Sequence, residues 1–191
     1  MVDSSAGTKE DTASRPGLTP RLRVFQPGCI REVTLKRDMG WAIVRLSSGS
    51  VLAGYHLNEP PSNHSWQSWL EAKKQEIQAS NLARVVVFTE GGAPSKAQQS
   101  LLKNTIYPEW TSRGIKAKVG IQIITTNQIF GSLIGATTAV LRIGARVFGL
   151  ERLIEFFGSI EGALDFVGIP PREWEEMKAV RDYLCQELKS R

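Results

Sequence analysis

His56, His64, Glu90 and the cysteines Cys29 and Cys185 are the side chains of this sequence with chemistry to offer. A nucleophile–histidine–acid set needs all three groups within hydrogen-bond reach of one another. His56 stands at the end of a strand-like run and His64 near a helix start, so the two can be neighbours. Neither has a carboxylate or cysteine at metal-ligand spacing. The expectation is two surface histidines, no metal and no catalytic residues; a convergent cluster of His56, Thr89 and Glu90 in a pocket is what would revive an enzyme reading. Glu90 precedes Gly91-Gly92, but Gly-x-x-x-x-Gly-Lys-Ser/Thr and Gly-x-Gly-x-x-Gly are both missing from the sequence. An acid in that turn also opposes an anion. No cofactor is expected. Cys29 and Cys185 lie far apart in no redox or metal spacing, and read as two reduced thiols of a cytoplasmic protein.

These residues need elements to hold them. Arg84-Val-Val-Val-Phe-Thr-Glu-Gly-Gly-Ala-Pro-Ser-Lys-Ala-Gln-Gln99 is a β-branched run, a glycine-paired turn and a helix start. Val85 to Phe88 reads as a central parallel strand covered on both faces. Thr89 ends that strand, and Ser95 caps the following helix. The buried stripe of that helix is predicted to be Ala97, Leu101, Leu102 and Ile106, with Pro108 ending or kinking it.

Upstream, Arg21 to Phe25 and Cys29 to Lys36 read as strands. Trp41 to Leu46 and Val51 to His56 flank Ser47-Ser-Gly-Ser50, which is a hairpin signal. After Asn58-Glu-Pro-Pro61 the period changes. Trp66, Trp69, Leu70, Lys73 and Ile77 then share one helical face.

Downstream, Lys118 to Ile124 is a strand, and a helix runs from about Gln128 to Ile143. Arg146-Val-Phe148 reads as an edge strand. Leu150 to Val167 reads as a helix facing inward with Leu153, Ile154, Phe157, Ile160 and Leu164. Gly168-Ile-Pro-Pro171 stops it, and Pro171 starts a last amphipathic helix to residue 189. The fold class is therefore α/β: an N-terminal antiparallel hairpin, then parallel strands, flanked by helices. Residues 21–191 form one domain. Residues 1–20, rich in Ser, Thr, Gly, Asp and Pro with no secretory signal, read as a disordered tail.

With 191 residues, net charge +5, 41% hydrophobic and 23% charged residues, the composition is that of an ordinary globular chain. Lys73-Lys74 and Arg21/Arg23 are the densest basic clusters. Neither is interleaved with aromatics, so no specific nucleic-acid partner is expected. Ile121 to Leu150 is largely apolar but is interrupted by Asn127, Gln128, Arg142 and Arg146. It reads as a strand and a buried helix, not a membrane span. That helix is apolar on nearly all sides, beyond the one stripe a peripheral helix needs. Phe130, Leu133, Ile134, Thr137 and Leu141 are thus a candidate interface, to be covered by the C-terminal helix, a second subunit or a hydrophobic ligand. Trp66, Trp69 and Trp174 are predicted to pack in the core.

The run Val85 to Gln99, the stretch Val119-Gly-Ile-Gln-Ile-Ile-Thr-Thr126, the long apolar helix and Phe156-Phe-Gly-Ser-Ile-Glu-Gly-Ala-Leu-Asp-Phe-Val-Gly168 together resemble the STAS domain group. That group includes anti-sigma-factor antagonists of the SpoIIAA type. The resemblance covers about Trp41 to Gly168 and rests on the order of elements; the final C-terminal helix is an addition to it. It implies a non-catalytic bacterial regulatory module that binds a protein partner. Its switch loop would be Thr89, Glu90, Gly91, Gly92 and Ser95, with a Ser or Thr phosphorylated there. The family's Asp-Ser-Ser/Thr-Gly arrangement is absent from this turn. The related SEC14-like proteins imply an alternative, a carrier of a lipid or small apolar ligand beneath the Gln128 to Ile143 helix.

Overall fold

The computed structural model describes residues 25–57, 62–80, 84–90, 95–101, 104–105, 107–112, 118–124 and 154–191. Among them six strands form one sheet in the order β1-β2-β3-β4-β5-β6. They are β1 (Ile30–Leu35), β2 (Met39–Leu46), β3 (Gly49–His56), β4 (Arg84–Thr89), β5 (Lys118–Ile123) and β6 (Ile154–Phe157). β1, β2 and β3 pair antiparallel, and β3 to β6 pair parallel. The expected change of sense thus falls at β3/β4. The Ser47-Ser48 turn joins β2 to β3, as the short polar loop requires.

The helices are α1 (Asn63–Ser80), α2 (Lys96–Leu101), α3 (Tyr107–Ser112), α4 (Ile160–Phe166) and α5 (Trp174–Lys189), the last preceded by a 3-10 turn over Pro171–Glu173. Alternation along the strands sends side chains to two cores. On one face Met39, Trp41, Leu52, Val85, Val87 and Val119 meet Trp66, Trp69 and Leu70 of α1. On the other, Val44, Val51, Ala53, Tyr55, Val86 and Phe88 meet α4 and α5. α4 covers β5 and β6, while α5 covers β1 to β3. Lys74 of α1 pairs with Glu109 of α3 at 3.0 Å, tying the helices of the first face together.

Two glycines permit the close layers. At Gly54 a Cβ would lie 2.9 Å from the Trp69 indole, and at Gly120 it would lie 2.5 Å from the Ala163 carbonyl oxygen. The bare backbone lets Trp69 lie on β3 and α4 lie on β5.

Three expectations change. Residues 154–157 are the edge strand β6, not part of a helix, because Gly158-Ser159 breaks the chain there. Ser159 Oγ accepts the Gly162 N–H at 3.2 Å and starts α4. Pro108 falls in the first turn of α3, just after a π turn at 104–105; residues 102, 103 and 106, between α2 and α3, lie outside the described residues. Ala97 is exposed and belongs to no buried stripe. Phe25 is also exposed and outside any strand.

The predicted tail 1–20, Arg21 to Val24, the helix Gln128 to Ile143 and the strand Arg146 to Phe148 lie outside the described residues. Among the described residues, no helix is long and apolar enough to cross a membrane.

Candidate functional site

The carboxyl rim of β3 and β4 gathers most of the chemistry. His56, the last residue of β3, registers with Thr89, the last of β4, and the Glu90 N–H donates to the His56 carbonyl at 3.1 Å. The pleat then splits the rim. Tyr55 and Glu90 point toward α5, whereas His56 and, by alternation, Thr89 belong to the α1 side. The convergence of His56, Thr89 and Glu90 that would revive an enzyme reading does not form, because the sheet stands between the imidazole and the carboxylate.

On the α5 side Glu90 Oε1 accepts from the Tyr55 hydroxyl at 2.6 Å, from Lys189 Nζ at 2.6 Å and from Cys185 Sγ at 3.6 Å. Burial pushes Glu90 up, but the hydrogen bonds from Lys189 and then Tyr55 outweigh it and hold the carboxyl below its ordinary range. Burial, followed by the bonds to Cys185 and Glu90, pushes the Tyr55 phenol far above its ordinary value. The bond to Glu90 raises Lys189. This carboxylate is a fixed anchor between β4 and the end of α5, held through its Oε1.

On the α1 side His56 is buried, which corrects its reading as a surface histidine; His64 is exposed as expected. The His56 ring stands edge-on to Trp66 and Trp69, with centroids 5.7 and 6.5 Å away. Lys73, also buried, holds its ammonium 5.6 Å from the Trp69 ring centroid, a cation–π placement. Burial lowers Lys73 to about 8. Burial, then the charge of Lys73, lowers His56 to about 4, with Asp38 opposing. The imidazole is neutral at pH 7.

Asp38, in the turn between β1 and β2, anchors the start of α1. Its Oδ2 accepts the Ser62 N–H, and its carbonyl accepts the Leu57 N–H at 3.3 Å. Burial raises Asp38, but the bonds from Ser62 and Ser65 win and lower it. Ser62 Oγ accepts the Ser65 N–H at 3.2 Å, so Ser62 is the cap.

Of the predicted switch loop, Thr89 and Glu90 lie on opposite faces of the rim. Ser95 is exposed immediately before α2, and Gly91 and Gly92 lie outside the described residues. Phe130, Leu133, Ile134, Thr137 and Leu141 also lie outside them. Trp66 and Trp69 are buried, as expected, and Trp174 is partly buried with its indole N–H donating to the Ile169 carbonyl at 2.8 Å.

Sequence reasoning gave no role to Lys73, Asp38, Tyr55 or Lys189. Lys73 carried a usable signal, its place at i+7 from Trp66 on the apolar face. Cys185 and Lys189 share an α5 face at i, i+4, but nothing in the sequence ties them to Glu90. No group of three His, Cys, Asp or Glu residues able to hold a metal occurs among the described residues. Comparison with family models, curated proteins and solved structures found no match to this chain.

Proposed function

We propose that this chain is a STAS-like, non-catalytic protein-interaction module of a bacterial regulatory pathway, working in the cytoplasm through the turn Thr89 to Ser95. The observation that carries the reading is the anchoring of that turn. Glu90 is gripped by Tyr55 from β3 and by Lys189 from α5, so the residues beyond it leave a fixed point on the rim. Holding the turn at that end reduces the ordering cost there when it binds. The alternation of strands and helices from β2 to β5 supports the reading, and the free thiols Cys29 and Cys185 suit a reducing compartment.

The test is quantitative capture from the native cells with the wild-type chain and with a Thr89→Ala/Ser95→Ala double variant as bait. A partner recovered by the wild type should fall at least tenfold with the variant. Unchanged recovery would remove the turn from the contact surface. A Thr89→Glu bait asks whether negative charge there switches the contact. A homodimer is read from the same purified chain by sedimentation.

A further inference from the structure

We infer that the α1 side of the carboxyl rim is a binding site for a small carboxylate bearing a neighbouring hydrogen-bond donor, the shared chemistry of α-hydroxy and α-amino acids. The inference goes beyond the interaction reading and uses the opposite face of β3 and β4. Four buried side-chain polar atoms among the described residues have no hydrogen-bond partner: Asp38 Oδ1, His56 Nε2, Trp66 Nε1 and Gln122 Oε1. Three of the four belong to His56 and two of its neighbours. Such orphans cost free energy unless something satisfies them, and they are uncommon in folded chains. His56 and Trp66 are each more than nine-tenths buried, with 6% and 8% of their surface exposed.

The character of the missing partner follows from the groups. Trp66 Nε1 is a donor only, and Asp38 Oδ1 is an acceptor only. A bound group must therefore both accept and donate. Lys73 and Asp38 act on the imidazole with charges of opposite sign. A carboxylate oriented to Lys73 and Trp66, with its hydroxyl or ammonium oriented to Asp38, matches both signs. His56 is neutral and able to donate or accept at Nε2. Trp66 and Trp69 supply an apolar wall for the rest of the molecule. The first turn of α1 closes the place, since Ser62 and Ser65 hold Asp38 there.

The experiment titrates the full chain with L-lactate, L-alanine and acetate, reading tryptophan fluorescence and the melting temperature. Lactate and alanine present the hydroxyl and the ammonium, and acetate presents neither. At least one of the first two should give a saturable signal with an affinity about tenfold or more above acetate. Lys73→Met and Asp38→Asn should each weaken it about tenfold. Methionine suits the apolar wall and asparagine is isosteric, and circular dichroism confirms that both variants fold. No saturable response to lactate or alanine, or wild-type affinity in both variants, overturns the site. So does a crystal grown with the better probe that shows only water at His56 Nε2 and Trp66 Nε1. Partner capture by the Thr89 to Ser95 turn is a separate readout, so either reading can fail without the other.

Discussion

A buried lysine is the least comfortable residue in this molecule. Lys73 titrates at about 8 in the fold against an ordinary 10.5. Between those values the unfolded chain binds the proton and the folded chain does not. Stability must then rise with pH across that window, by about 3 kcal/mol for a group this buried. Lys73→Met should abolish the rise. It should also leave the protein more stable at pH 7, because a buried charge is exchanged for an apolar chain of similar length. Urea unfolding of both proteins from pH 7 to 10.5 checks this, and parallel curves would refute it. His56 provides a second reading of the same pair. Its imidazole should titrate by NMR near 4 and move upward in Lys73→Met, since Lys73 is one cause of its depression. Its contribution has the same sign on the acid side: the unfolded imidazole protonates first, so stability falls as pH drops from about 6.5 toward 4. The sequence showed where Lys73 would lie but not that His56 is buried. β3 is covered on both faces over Val51 to His56, so the alternation that marks a half-exposed strand is missing.

At the scale of elements, the edge strand and the helix after it depend on short signals. Leu153, Ile154, Phe157, Ile160 and Leu164 recur at helical spacing, and that period runs straight across Gly158-Ser159. The break outweighs the period. Ser159 is extended, its hydroxyl holds the Gly162 N–H, and β6 ends before it. Ser159→Ala should therefore cost about 1 kcal/mol. A larger effect is expected where α4 meets β5. Gly120→Ala would place a methyl 2.5 Å from the Ala163 carbonyl oxygen, a backbone atom that cannot swing aside. The helix must lift, at a cost of about 1–3 kcal/mol or more. Denaturant midpoints give both values, and a Gly120→Ala protein as stable as wild type would show that the two layers are looser than described. Strand β4 was legible because four consecutive β-branched and aromatic residues, Val85 to Phe88, suit only a fully covered strand. β6 was not, because four residues are too few to set one period against another.

Across the whole molecule, α5 is the element on which the antiparallel half depends. It lies over β1, β2 and β3 and buries Met177, Val180, Tyr183, Leu184 and Leu188. Each such side chain is worth about 1.5–3 kcal/mol, so together they rival the entire stability of an ordinary domain. Both ends of α5 are also tied to the sheet. At its start the Glu173 carboxylate is buried and takes the hydroxyls of Ser47 and Ser48 and the Ser48 N–H, the last at 2.9 Å. Arg84 of β4 donates to the Ser48 carbonyl at 2.8 Å, extending the same clasp across β3. At its finish Lys189 reaches Glu90. The spacing of Trp174, Met177, Val180, Leu184 and Leu188 announced an amphipathic helix, but spacing carries no address. The partners Ser47, Ser48 and Glu90 lie from 95 to 126 positions away, beyond the reach of any local pattern. Deleting residues 171–191 should therefore expose the face built by Val44, Val51, Ala53 and Tyr55, and the shortened chain should aggregate or bind a hydrophobic dye. Glu173→Ala, a milder cut at one end of the clasp, should lower stability by about 2–4 kcal/mol while keeping the fold, because it strands the hairpin turn without its acceptor. A truncated chain that stays monomeric with a cooperative melt would make α5 an accessory, and Glu90 would then have to hold the rim without it.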